Sequence, residues 1–560
     1  MPSILFSRLH LSKGRHRVKD LELPLGKRTR FYRFFEILPG MLSYGILVGM
    51  VVLSIINPLW ASIFLLVLIV TMLLKAAGIA GHSIGGHRKL RRAMRIDWRE
   101  RLSQLEHPIE PADDAPSSGF EYEVHHDNLR RIAADPSSYP RPSELYHLVV
   151  IAAYNEPYEV IQPTIQSLVD TTTDTSRMVV VFGYEQRGGP EIEKTVMRLR
   201  DEFQHHFKAF LPVMHPSDIP DELLGKGPNI TFAAKYAEDW LEKRDIDLAH
   251  VLVTTLDCDN KPHPSYFDYM AYEFIVSENR QRLSYQPIAL YFGNIWDAPA
   301  PMRIIAIGNS FWTIVSSVRP HMLRNFAAHS QPMRALADMD YWSKRSIVED
   351  GHQYWRSYFF FDGDYEVVPL YVPIYQDAVL GSTFKSTLVA QFKQLRRWGY
   401  GASDIAYVAV RLFSRKRKAP FFPTLARFIR LVDGHVSLAT VAILVAVGAW
   451  IPLLVNPESA HDIAAHNLPV IVSNLQRVAM IGIAITIILS LRMLPPRPSR
   501  HKRRRSIWMI LQWFLMPVTA IGYSAAASLT AQTYLMFGKY LDKFDVTEKT
   551  TKETIKTPAS

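Results

Sequence analysis

The sequence predicts an α/β domain with a mainly parallel sheet, inserted between transmembrane helical hairpins. Three observations predict it. Long apolar runs come in two pairs; the stretch between the pairs alternates short apolar strands with amphipathic helices; and several of those strands lead directly into acidic or polar clusters. Alternation of strand and helix implies parallel pairing, because each crossover helix returns the chain to the same edge of the sheet.

The hairpins come first. A chain of 560 residues, 48% apolar, is long enough for a catalytic domain and several spans. Residues 38–57 and 59–79 form two nearly continuous apolar runs separated by Asn57-Pro58, and 435–455 and 468–491 form a second pair around Asn456-Pro457-Glu458. Each is close to the ~20 residues that cross a bilayer. Buried core helices would be the alternative, but two hairpins flanking a polar middle fit spans better. A further apolar stretch, 507–537, is interrupted by Pro517 and Gly522.

Basic residues set the expected orientation. Nine precede the first run, among them Arg15, Arg17, Lys27, Arg28, Arg30 and Arg33; Arg88, Lys89, Arg91, Arg92 and Arg95 follow the second; Arg497, Arg500, Lys502, Arg503, Arg504 and Arg505 follow the fourth. The loop 456–467 carries Glu458 and Asp462 and neither Lys nor Arg. Lys and Arg favour the cytosolic side, so a multi-pass protein of the plasma or inner membrane is expected, with its middle region in the cytosol. The first run is too long and too far from the start for a cleavable signal. The net charge of +11 lies mostly in these clusters. They suit membrane lipid headgroups, and no nucleic-acid partner is expected. A single cysteine, Cys258, excludes a disulfide framework.

The expected organisation is a cytosolic N-terminus with two spans (1–80), a charged, proline-punctuated linker and helix (81–145), the α/β domain (146–400), a membrane-associated region (401–538) and a tail (539–560). Within the domain, strands are expected at 147–153, 178–182, 207–213, 251–256 and 288–292, with helices at 158–168, 190–203 and 229–243. Ligands of such sheets bind at the carboxyl ends of strands. There the sequence places Asn155 and Glu156, then Glu185, then Asp257-Cys258-Asp259. Asn155 and Glu156 could equally cap a helix. Asp257 and Asp259 lie two positions apart, which on an extended segment is one face. They suit Mg²⁺ or Mn²⁺ shared with substrate phosphates. Cys258 points the other way and is expected to pack. Lys226-Gly227-Pro228-Asn229 opens a helix whose N-terminus could attract an anion. Glu349-Asp350 could supply a base or simply complement a helix dipole. Gln394, Arg397 and Trp398 could hold a departing nucleotide or anchor an interfacial helix.

Taken in order beside membrane helices, Asp257-x-Asp259, Glu349-Asp350 and Gln394-x-x-Arg397-Trp398 resemble the motif set of membrane-embedded family-2 glycosyltransferases, the group that includes cellulose and hyaluronan synthases. The resemblance covers roughly 146–400 and the flanking helices. It implies an α/β GT-A (Rossmann-like, mainly parallel sheet) domain. It assigns Asp259, with Asp257 beside it, to the metal; Asp350, with Glu349, to the catalytic base; Arg397 to the diphosphate; and Trp398 to the acceptor sugar. Asn155, Glu156, Glu185, Lys226, Asn229, Asp257, Gln394, Arg397 and Trp398 become donor-binding residues, and His329 and Ser330 part of an acceptor loop. Phe544, Val546, Thr547 and Lys549 resemble a gating loop that closes over the nucleotide. A cytosolic gating loop would require 507–537 to be interfacial, re-entrant or two short crossings. The chain departs from the family in having Glu185 where an Asp is usual, and in having fewer clear spans than cellulose synthases.

The implied activity is an inverting, metal-dependent transfer from a nucleotide sugar, with a UDP-sugar the expected donor, to a growing polysaccharide that could be exported. Transfer to a lipid- or polyprenyl-linked acceptor is the alternative; a silent membrane scaffold or transporter is a third reading. Accessory subunits are left open.

Overall fold

The computed structural model describes residues 21–108, 119–456, 461 and 463–541. The gating-loop residues Phe544, Val546, Thr547 and Lys549 lie outside the described residues.

Two helices open the described chain. Helix α1 (Arg30–Ile56) is capped by the Thr29 side chain, which accepts from the Tyr32 amide. Helix α2 (Pro58–Ala93) is capped by Asn57, which accepts from the Trp60 amide, with Pro58 at the first position. The Asn57-Pro58 turn is thus a cap followed by a residue pre-set for a helix start. Helix α2 has 36 residues, about 54 Å at 1.5 Å per residue, well beyond the ~30 Å hydrocarbon thickness. Its last turns therefore project past any span and reach the α/β domain.

Helices α3 (Trp98–Glu106) and α4 (Tyr122–Ala134) lead to the sheet. The domain then runs β1 (Tyr146–Ala153), α5 (Tyr158–Val169), β2 (Met178–Glu185), α6 (Pro190–Phe203), β3 (Ala209–His215), α7 (Lys226–Glu242), β4 (Val251–Asp257), β5 (Lys261–Pro262), α8 (Tyr266–Val276), β6 (Leu283–Leu290), α9 (Ala300–Ser317), β7 (Ser330–Pro332), α10 (Met333–Asp338), α11 (Glu349–Phe360), β8 (Glu366–Tyr375), α12 (Phe384–Gly399) and α13 (Asp404–Leu412). The eight strands form one sheet in the order β3-β2-β1-β4-β7-β6-β8-β5. Strands β1, β2, β3 and β4 are mutually parallel, as are β6 and β8; β7 is antiparallel to both neighbours, and β5 to β8. Every residue of β2 is buried, as expected of a parallel strand covered by helices on both faces. The expected fold class is present: a Rossmann-like, mainly parallel α/β domain with apolar helices before and after it.

All five expected strands and all three expected helices exist, displaced at their ends by a few residues. Three strands were not expected. Strands β5 and β7 are two and three residues long, too short for a periodic signal. Strand β8 contains Pro369 and Pro373, which argue against a strand because proline donates no ladder hydrogen bond; the sheet accommodates them with a register shift opposite Pro287 and Ile288.

After the domain come α14 (Phe421–Val447), α15 (Ile451–Val455), α16 (Ile463–Met493), α17 (Arg504–Leu511), α18 (Met516–Thr519) and α19 (Ala526–Met536), with a π-helical stretch at Ala520–Ala525. Among the described residues, five helical segments are long and apolar enough to cross a membrane: Arg30–Ile56, Pro58–Ala93, Phe421–Val455, Ile463–Met493 and Arg504–Met536. The first four contain the expected runs. The fifth contains the stretch with Pro517, and both its ends pack on the α/β domain. Arg505 donates to the Trp296 carbonyl at 2.9 Å, and Arg303 to Gln512 at 2.5 Å. At the other end, a Cβ on Gly399 of α12 would lie 3.2 Å from Ser528 Cα, so α12 and α19 cross closely.

Gly86 is where α2 crosses α9. A Cβ there would lie 2.9 Å from the Ile314 carbonyl oxygen, whereas one on Gly81 of the same helix would meet nothing within 4 Å. Gly86→Ala is therefore expected to lower thermal stability by about 1–3 kcal/mol through overpacking. Gly81→Ala should be neutral or stabilising by up to about 1 kcal/mol through helix propensity. Melting curves of the detergent-purified variants check the pair.

Candidate active site

Strands β1 and β4 are adjacent, while the chain runs from β1 outward through β2 and β3. The sheet order reverses between β1 and β4, and their carboxyl ends flank the crevice where ligands of such sheets bind. Asp257 is the last residue of β4; Cys258 and Asp259 form the turn that follows. Consequently the two acids are not equivalent. The Asp257 side chain is one-third exposed and meets the Lys226 ammonium at 2.8 Å. Asp259 is buried and accepts the Asp377 amide at 3.0 Å. Cys258 packs inward with its thiol on the Ala152 carbonyl, as expected.

Lys226 is the first residue of α7. Its ammonium also lies 3.4 Å from Asp350 and 3.8 Å from Glu349, so one cation joins acids from two elements distant in sequence. Gly227 makes this approach possible, because a Cβ there would lie 2.3 Å from the Ser343 carbonyl oxygen. Burial alone would lower the Lys226 pKa, but Asp257, Asp350 and Glu349 outweigh it and hold it well above the usual lysine value. Glu349 and Asp350 are the first two residues of α11. Asp350 keeps an edge open to solvent, whereas Glu349 is buried, and one of its carboxylate oxygens has no hydrogen-bond partner. Burial first, and the neighbouring Asp350 charge second, push Glu349 well above the ordinary carboxylate range; Lys226 and Arg397 oppose this.

Helix α12 brings the third motif. Thr383 caps it, and Gln394, Arg397 and Trp398 share a face by their i, i+3, i+4 spacing. Gln394 accepts from Gln391 at 3.1 Å. The Trp398 ring lies 6.3 Å from Tyr291, centroid to centroid. Burial, then Asp257, Asp259 and Asp350, hold the Tyr291 phenol above its usual value, with Arg397 opposing. Tyr291 thus feels acidic or basic residues of all three motifs and meets the Trp398 ring. It was missed as a site residue because the expected strand 288–292 ran past it; the strand ends at Leu290, so the carboxyl-end rule points to Tyr291.

His329 reaches the same rim, 3.8 Å from Asp350. Its Nε2 faces the Trp342 indole N–H at 3.3 Å, and its Nδ1 faces the Phe326 carbonyl at 2.9 Å. The indole can only donate, so Nε2 accepts and Nδ1 carries the proton. That is a neutral imidazole, consistent with burial lowering its pKa. Ala328, with φ of +66°, turns the chain at this point.

The other expected site residues have the following neighbours. Ser330 is buried within β7, its hydroxyl 2.6 Å from Thr254 and 2.7 Å from Tyr266. Asn229 is buried beneath the rim, where its amide donates to the Gly183 carbonyl at 3.2 Å and ties α7 to β2. Glu185 is engaged by Arg187 at 2.9 Å and by His215, which also contacts Glu222 at 3.0 Å. Asn155 is exposed, and Glu156 accepts the Tyr154 and Asn155 amides, shaping the loop after β1.

Among the described residues, no three His, Cys, Asp or Glu side chains are grouped as a metal cage. Asp257 and Asp259 offer two hard oxygen donors, which is the protein share of a Mg²⁺ site completed by substrate phosphates. The donor chemistry therefore fits Mg²⁺ or Mn²⁺.

No known protein-family profile and no curated protein sequence matches the chain. Among solved structures, it is similar to the mannosyltransferase PcManGT from Pyrobaculum calidifontis in complex with GDP-Man and Mn²⁺, at 14% identity and a TM-score of 0.39, over 82% of this chain and 100% of that one. It is also similar to S. aureus TarS 1–349 in complex with UDP-GlcNAc, at 12% identity and a TM-score of 0.31, over 71% of this chain and 93% of that one.

The His215 clamp gives a pH signature. Burial would lower the His215 pKa, but Glu185 and Glu222 outweigh it and push it up to about 9. A raised histidine pKa stabilises the fold fully below the unfolded value near 6.5, and that contribution is lost as pH rises through about 9. The expected loss between those limits is on the order of 3 kcal/mol. His215→Asn should flatten this part of the melting-temperature profile against pH.

Proposed function

We propose that this chain transfers a sugar from a nucleotide-sugar donor to an acceptor at the membrane face, as a membrane-embedded glycosyltransferase with a GT-A domain. The observation that carries this reading is the convergence of Asp257, Asp259, Asp350, Tyr291 and Arg397 at one carboxyl edge of the sheet, beside helices long enough to span a bilayer.

Transfer needs an activated nucleophile and stabilisation of the departing diphosphate. Asp350 has an edge open to solvent and can take the proton of an acceptor hydroxyl as the oxygen attacks the anomeric carbon. Arg397 presents a planar fork suited to phosphate oxygens. Trp398 and Tyr291 supply aromatic faces on which sugar or base can stack. A divalent cation held by Asp257 and Asp259 would add positive charge against the leaving diphosphate. His329, neutral and fixed by Trp342, orients the surroundings of Asp350. A carboxylate base acting directly on the acceptor implies a single displacement and an inverted anomeric centre.

We place the α/β domain in the cytosol and take the acceptor to be a growing polysaccharide. Contacts at the end of α19 and at Leu541 draw this part of the chain toward α1 and α12. Arg33, at the start of α1, donates to the Leu535 and Met536 carbonyls, and the Leu541 backbone hydrogen-bonds the Tyr400 phenol, two residues beyond Trp398. This supports reading Arg504–Met536 as interfacial or re-entrant and Phe544–Lys549 as a gating segment.

The test is nucleotide release by detergent-purified protein over UDP- and GDP-sugars with Mn²⁺ or Mg²⁺. Chelation should abolish release. Asp350→Asn should lower it about 10²–10⁴-fold, and Arg397→Ala about 10²–10³-fold. A product ladder supports polymer synthesis, whereas a single added sugar selects a lipid-linked acceptor. Retained anomeric configuration by NMR would overturn inversion, and absence of both release and nucleotide binding would overturn the enzyme reading.

A further inference from the structure

A second basic cavity lies between the ends of α2 and α16. These helices run in the same direction and pack closely around Gly482, whose Cβ position is 3.9 Å from the Ala76 carbonyl. Beyond that crossing they enclose a cavity of about 500 Å³, within the 300–1,000 Å³ range of ligand sites. Its walls carry five guanidinium groups: Arg88, Arg91, Arg92, Arg95 and Arg492. Arg88, Arg91 and Arg92 follow the i, i+3, i+4 pattern and share one face of α2, and Arg95 follows in the turn at its end. Like charges so placed repel and destabilise a helix, yet none of the five pairs with a carboxylate among the described residues, and no acid lines the cavity.

Two further features point to a ligand. His87 lines the cavity with 6% of its surface exposed, and neither of its ring nitrogens has a hydrogen-bond partner. A buried ring without partners is costly unless something completes it. The remaining wall is aliphatic, formed by Ile84, Ile485, Ile488 and Leu489. A free anion would gain nothing from that wall.

We propose that this cavity binds an anionic membrane lipid. Its phosphate headgroup rests on the arginines and His87, and its hydrocarbon chain lies on the isoleucine face. Arginine favours this role because its fork binds phosphate oxygens in pairs, and basic pockets between helices at the cytosolic face suit such headgroups. The site uses none of the residues assigned to sugar transfer.

Native mass spectrometry of the full chain, with phosphatidylglycerol or phosphatidylcholine added in detergent, tests the proposal. Phosphatidylglycerol should be retained near one equivalent and phosphatidylcholine should not. The triple variant Arg91→Gln, Arg92→Gln, Arg492→Gln should lose about tenfold in retention, while Lys502→Gln, Arg503→Gln in the neighbouring basic cluster should retain lipid as the parent does. Ile485→Trp leaves every arginine in place and should also lose lipid. Inorganic phosphate at millimolar concentration should not displace it. Equal retention of both lipids, equal loss in the control variant, full retention by the triple variant or by Ile485→Trp, or displacement by phosphate alone would each overturn the proposal. A matching elution profile and melting temperature for each variant keeps misfolding from imitating the result.

Discussion

The Lys226 ammonium set among Asp257, Glu349 and Asp350 is the contact on which the rim at the carboxyl end of the sheet depends. The ends of β4, α7 and α11 all terminate at this spot, and three carboxyl groups so close would repel without a cation between them. Removing one partner of such a cluster leaves an uncompensated buried charge, which is more costly than any single bond gained. The geometry is tight for the same reason. Gly227 admits the Ser343 carbonyl where a Cβ would collide, and Glu349 is left with an oxygen that no protein group satisfies. Burial and the neighbouring Asp350 charge push the Glu349 carboxyl above the ordinary carboxylate range, while Lys226 and Arg397 oppose this. The charge balance also explains why a donor diphosphate would come with a divalent cation. Lys226 and Arg397 face Asp257, Asp259 and Asp350, and further negative charge without a counter-cation would meet a rim already rich in acids.

The sheet order determines which residues gather there. Because β4 joins the opposite side of β1 from β2, the loops after β1 and β4 diverge and leave a crevice between them. Strand β6, which reaches the sheet only through the short antiparallel β7, delivers Tyr291 to the same edge. The loop before β7 delivers His329. A site drawn from β4, β6, α7, α11, α12 and the loop before β7 is held by this topology and not by any local motif.

Much of this was legible in the sequence, and the misses have physical causes. Strands buried on both faces, such as β2, are continuous apolar runs and were readable; β7 and β8 were not, one being too short and the other interrupted by prolines. The motif residues themselves converge, but spacing alone did not reveal their geometry. Asp257 and Asp259 were expected on one face of an extended segment, whereas the strand ends between them, which leaves one on Lys226 and the other on the Asp377 amide. Ser330 and Asn229 lie near the site in sequence-derived order, yet the Ser330 hydroxyl is engaged by Thr254 and Tyr266 and the Asn229 amide nitrogen by the Gly183 carbonyl. Whether a polar residue faces a ligand or satisfies a buried neighbour depends on partners remote in sequence, and no window along one chain contains that information.

Helix α12 connects the membrane region to the chemistry. Its Arg397 and Trp398 face the rim, while the next residue, Gly399, lets α19 approach its backbone closely. Helix α19 in turn lies along the first half of α1, where Tyr44 meets Thr533 at 2.7 Å and Arg33 binds the carbonyls of Leu535 and Met536. Tyr540 closes the far end, with its hydroxyl 2.9 Å from Arg33 and its ring 3.5 Å from the Arg28 guanidinium. A displacement of α1 in the bilayer would therefore move α19, then α12, and with it the residues proposed to grip the leaving group. Close-packed helices transmit such shifts because their interfaces have little free volume. Gly399 sets how closely the two helices meet: a Cβ there would lie 3.2 Å from Ser528 Cα, so even an alanine would require α12 or α19 to shift by a few tenths of an ångström.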